Sequence, residues 1–85
     1  GYELIPMLKA FVMIQLKSKS IEKSIDTIKD LPGVSRICTM TGNFDLIVEF
    51  EGKDTDELHD FHFQLDGLDT IEGVITNVVM KEFTP

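Results

Sequence analysis

Thr41-Gly42-Asn43-Phe44-Asp45 brings a hydroxyl, a flexible backbone, an amide, an aromatic ring and a carboxylate into one short stretch. Gly and Asn tolerate positive φ, and the stretch lies between the apolar runs 34–40 and 46–50, so a tight hairpin turn is predicted. A hairpin needs Gly42 and Asn43. It does not need Asp45, because Asp opens a strand poorly. That surplus carboxylate makes the turn a candidate site for a small ligand carrying both charges, such as a free amino acid. The Gly42 and Asn43 N–H groups would meet its carboxylate, Asp45 would accept from its ammonium, and Thr41 can do either. Taken alone, the five residues are more simply read as an ordinary hairpin.

Three other groups are chemically notable. His59 and His62 stand three apart and can lean the same way on a helix. With Asp56 or Asp60 they have the donor types for a divalent metal, but no Cys joins them, and one surface and one half-buried His is the plainer account. Cys38 has Arg36 two residues away on the same strand face but no base, which fits a buried or interface thiol better than a nucleophile. The run Asp54-Thr55-Asp56-Glu57 suits a helix N-terminus. No phosphate loop, paired-Cys zinc motif or serine-nucleophile elbow is present. No metal and no cofactor is expected.

The elements that must position these residues follow from periodicity. Leu8, Ala10, Val12, Ile14 and Leu16 alternate as the buried face of a strand, and Lys9, Phe11, Met13, Gln15 and Lys17 form its other face. Ser18 to Ser20 break the strand, and Ser20 is placed to cap a helix whose stripe is Ile21, Ile25, Ile28 and Leu31. Lys19, Glu22, Lys23, Asp26, Lys29 and Asp30 populate its solvated side. Leu31-Pro32-Gly33 stops that helix. A second strand runs from Val34 to about Met40, and a third from Leu46 to Glu51. Asp54 or Thr55 caps a second helix with the stripe Leu58, Phe61 and Leu65, ending near Gly67; Phe63 lies off the stripe. A last strand spans roughly 71–83. The order β-α-β-β-α-β predicts an α+β, ferredoxin-like sandwich, with two helices on one face of a four-stranded antiparallel sheet.

The chain has 85 residues, expected to form a single domain over 1–85, and 42% of them are hydrophobic. A chain this short buries a limited share of its surface, so association would help it. The opposite sheet face would carry Phe11, Met13, Ile47 and one parity of the last strand, including Val79. Monomers rarely expose such a patch, and two sheets packed face to face would cover it. Burying Phe11 alone contributes about 1.5–3 kcal/mol before association entropy is subtracted. A net charge of −7 with scattered bases disfavours direct DNA or membrane binding. No stretch reaches the length of a spanning helix, and the single Cys38 suits a cytoplasmic setting.

Three segments, Ile28 to Val34, Thr41 to Leu46 and Ile75 to Met80, together resemble the C-terminal regulatory (RAM) domain of the Lrp/AsnC transcription regulators. The likeness covers roughly residues 8–82. It implies dimers formed through the sheets, assembly into closed rings that are commonly octamers, and amino-acid effectors held between dimers. Effectors there lie near a Thr-Gly-x-x-Asp hairpin, matched by Thr41, Gly42, Asn43, Phe44 and Asp45, and near a Thr-x-Thr segment of the last strand. Thr76 matches the second Thr of that segment. Val74 stands at the first and lacks its hydroxyl. Full-length regulators carry a helix-turn-helix domain, which residues 1–7 cannot hold, so the resemblance implies a stand-alone module or an isolated regulatory domain.

Two other functions compete with effector binding. One is a purely structural module that co-assembles with a full-length regulator. The other is a small dimeric enzyme with His62 as its base. The ACT domain shares the element order, and the Thr-Gly-x-x-Asp hairpin is what separates the two families.

Overall fold

In a computed structural model of the chain, the alternating stretch near the N-terminus becomes the middle of the sheet. Residues 7–18 and 20–85 are described; residues 1–6 and Lys19, assigned from sequence to the solvated side of the first helix, lie outside them. The elements are β1 (Leu8–Leu16), α1 (Ile21–Ile28), β2 (Val34–Thr39), β3 (Leu46–Gly52), α2 (Thr55–Asp66) and β4 (Ile71–Val78). The antiparallel sheet has the order β2-β3-β1-β4, the expected ferredoxin-like α+β architecture.

Period-two patterning settles which face is covered. Ala10, Val12, Ile14 and Leu16 of β1 and Leu46, Val48 and Phe50 of β3 are buried together with Ile28, Leu58, Phe61 and Leu65 from the helices. The Phe50 and Phe61 rings meet at 5.1 Å between centroids, tying β3 to α2. The other parity of β1 faces away from the helices. Its register sets Met13 between Ile47 of β3 and Ile75 of β4, and Ile47 lies opposite Cys38 of β2. Phe11 is 36% exposed and Ile75 is 50% exposed on this open face. Val79, whose N–H donates to the Lys9 carbonyl, shares its parity.

Several local expectations change. The last strand ends at Val78 and not near Phe83, because beyond Val79, which still bonds to Lys9, it runs past Leu8, where its partner β1 begins. β2 and β3 are joined by residues 40–45, a longer connection than a tight turn. Gly42 takes positive φ there, +100°, and Asn43 does not. Ser20 precedes α1 without capping it; its hydroxyl donates to the Lys17 carbonyl at 3.1 Å. In α1, Ile21 is 36% exposed, and Ser24 occupies the buried stripe instead, its hydroxyl donating to Thr70 Oγ1 at 3.0 Å. That hydrogen bond is what makes a buried hydroxyl tolerable. Asp54 does cap α2, accepting from the Glu57 N–H at 3.0 Å.

Candidate functional site

The β2–β3 connection lies at the end of the sheet where β1 finishes and β4 begins. Gly42, Asn43 and Phe44 line an open depression of about 510 Å³ there, together with Gln15 of β1 and Gly73, Val74 and Ile75 of β4. Gln15 and Gly73 are register partners, so their pairing brings the strand floor under the hairpin tip. A side chain at 73 would fill part of that floor; a Cβ there would already touch the Gln15 side chain at 3.6 Å.

Asp45 has a structural role that the sequence did not reveal. Its Oδ2 accepts from the Leu16 N–H at 2.7 Å, its own N–H donates to the Ile14 carbonyl, and its carbonyl accepts from the Met40 N–H. The carboxylate therefore pins the hairpin to the end of β1. One of its two oxygens is occupied by a backbone donor, which leaves Oδ1 for other partners. Thr41 is exposed and does not line the depression.

Thr76 lies elsewhere. It pairs with Val12, so it shares the helix-facing parity with Val74 and Val78. Its Oγ1 is 2.5 Å from His62 Nε2. The His62 ring stands edge-on to Phe61, 6.4 Å between centroids at 81°, and is half-buried. His62, Leu65, Asp66 and Leu68 line a second hollow of about 300 Å³ with Ile71, Glu72, Gly73 and Val74. The two depressions thus flank the first half of β4 and share Gly73 and Val74. Because β4 is an edge strand and Val79 is hydrogen-bonded to Lys9, alternation turns the main-chain groups of Val74, Thr76 and Val78 away from β1.

The remaining candidates separate. His59 is exposed, and among the described residues no group of three His, Cys, Asp or Glu side chains is placed to hold a metal ion. Arg36 and Cys38 share the open face, but Arg36 is bonded to Glu49, whose hydrogen bond and charge push the guanidinium further above its ordinary range. Phe63 is 73% exposed beside a hollow of about 360 Å³ floored by Phe50 and Phe61 and rimmed by Glu57 and Asp60. Reasoning from sequence missed Gln15 and Gly73. Only the strand register, not any local motif, brings them to the hairpin.

A family model described as the Lrp/AsnC ligand binding domain matches residues 9–85. The HTH-type transcriptional regulator FL11 of Pyrococcus furiosus is 25% identical over 81 residues, 95% of this chain and 51% of the regulator. The chain thus spans about half the length of the regulators it matches. The crystal structure of TTHA0845 from Thermus thermophilus superposes with a TM-score of 0.86 at 25% identity, over 92% of this chain and 99% of that one. The transcriptional regulator NMB0573 from Neisseria meningitidis, solved as an L-Met complex, gives a TM-score of 0.83 at 18% identity, over 92% of this chain and 53% of that one. With the family model spanning nearly all of it, the chain belongs to the Lrp/AsnC ligand binding domain family.

Proposed function

We propose that the chain is an amino-acid-binding and assembly module of the Lrp/AsnC regulator type. One observation carries this reading: the hairpin and Thr76, the two halves of the expected site, face opposite sides of β4. No one side of a single copy presents both. An effector that contacts both is sandwiched between copies, the hairpin coming from one and the β4 edge from another. Binding then favours whichever assembly completes the site, which is mass-action linkage. The regulator matches support a role in regulation, and the L-Met complex of NMB0573 supports a free amino acid as the effector class.

The open face with Phe11, Met13, Ile47 and Val79 serves as the primary dimer contact, and dimers join into a larger ring of the octamer kind. The charge of −7 suits a module that leaves DNA contact to other chains, including a full-length Lrp/AsnC regulator with which it co-assembles in the cytoplasm. A second reading, co-assembly with an empty site, is favoured by one feature: Val74 puts a methyl surface where a hydroxyl would otherwise serve a ligand. An enzyme is disfavoured, since the matched relatives are named transcriptional regulators.

Calorimetry and native mass spectrometry against the twenty amino acids test the reading. At least one is expected to bind at millimolar concentration or below and to shift the assembly size. Asp45→Asn keeps an acceptor for the Leu16 N–H and removes the charge, so weakened binding with a retained fold assigns Asp45 to the ligand. If no amino acid binds, the effector reading is wrong and the structural one stands.

A further inference from the structure

We propose that His62 belongs to the effector site and that, through Thr76, it makes the β4 half of that site the receptor for the effector's ammonium group. The inference rests on the effector-binding reading above and sharpens it. A hydroxyl has one proton to give and two lone pairs to offer. Its partner therefore decides what it presents to a ligand. With Nε2 unprotonated, His62 takes the Thr76 proton, and Oγ1 faces the effector as an acceptor only. With a proton on Nε2, His62 donates to Oγ1, and the hydroxyl proton is released toward an effector carboxylate.

The surroundings suit an ammonium partner, which the first arrangement serves. The charged groups sharing the His62 hollow are Asp66, on the same helix, and Glu72, on β4. Both attract a cation and repel a carboxylate. On the other side of β4 the hairpin offers main-chain N–H groups at Gly42 and Asn43, which suit an anion. A zwitterion lying between copies is thereby oriented, carboxylate to the hairpin and ammonium to Thr76. This moves the ammonium from Asp45, where one oxygen already serves the Leu16 N–H, to the Thr76–His62 pair. The ring is well held for the task. Edge contact with Phe61, itself packed on Phe50, fixes His62 against the core.

The test uses nitrogen NMR of the imidazole and calorimetry on the whole chain. In the amino-acid complex, His62 Nε2 is expected to carry no proton. Titration with L-methionine and with the other nineteen amino acids should move the His62 ring signals for every one that binds. For each binder, the decarboxylated amine and the deaminated acid separate the two ends. His62→Phe should weaken the amino acid and its amine at least tenfold and leave the acid within twofold. His62→Gln, which still accepts a hydrogen bond, should recover part of the loss and serves if the Phe variant does not fold. Amino-acid binding with unmoved His62 signals, a protonated Nε2, or equal losses for amine and acid overturns this inference and leaves the effector reading intact. Absence of any binding overturns both.

Discussion

Gly33 and Gly42 both stand at positive φ, +92° and +100°, but for different reasons. A Cβ on Gly33 would run into the Phe50 ring, while one on Gly42 would meet nothing within 4 Å. Gly42→Ala therefore carries only the left-handed backbone penalty, about 1–2 kcal/mol. Gly33→Ala adds overpacking of a buried ring, a further ~1–3 kcal/mol. Urea unfolding of both variants is expected to show the larger loss at Gly33, and equal losses would refute the ring contact. Both glycines were legible in the sequence as turn residues. The Phe50 ring over Gly33 was not, because nothing local connects position 33 to position 50. The same holds for Asp45. Its misfit in a strand was visible, but the donor it serves, the Leu16 N–H, lies on the far side of α1 in sequence. The carboxylate explained by a backbone donor is a weaker sign of a ligand than the bare residue suggested.

At the scale of elements, the two helices differ in how they begin. Asp54 caps α2, and Glu57 reaches back to accept from the Lys53 N–H at 2.9 Å, so two exposed donors are satisfied together. α1 has no side-chain cap and holds its place through buried Ser24 and Ile28. Asp54→Ala is expected to cost about 0.5–2 kcal/mol in thermal or urea unfolding. Ser20→Ala should change stability far less, since its hydroxyl satisfies no helix N–H. A larger loss at Ser20 than at Asp54 would contradict this ranking. The strands were read from alternation, and β1 and β3 kept the assigned faces because one parity is almost wholly apolar. β4 was harder. Val74, Ile75, Val78 and Val79 make both parities apolar, so neither its end nor the side on which Thr76 lies could be decided without its pairing to β1.

For the whole molecule, the open sheet face is the feature the sequence indicated most directly. Phe11, Met13 and Ile47 lie side by side there, joined by Ile75 and bordered by the Arg36–Glu49 and Lys9–Glu51 ion pairs. An apolar patch with charge along one end has the pattern of a contact surface. Phe11→Glu is expected to leave a monomer by light scattering, with the fold retained by circular dichroism. An unchanged assembly would remove this face as the primary contact. The placing of the hairpin and Thr76 on two sides of β4 was not legible, because a motif gives positions along the chain and not the side of a sheet. The strand order β2-β3-β1-β4 has one more consequence. The first of these four strands in chain order is an inner one, and its partners follow much later, with Ala10 meeting Phe50 on one side and Val78 on the other. All the pairings of β1 are long-range, so loop-closure entropy must be overcome before any ladder around β1 repays it. Folding of this sheet is accordingly expected to be slow, and β1 keeps one bare edge until β4 has been made.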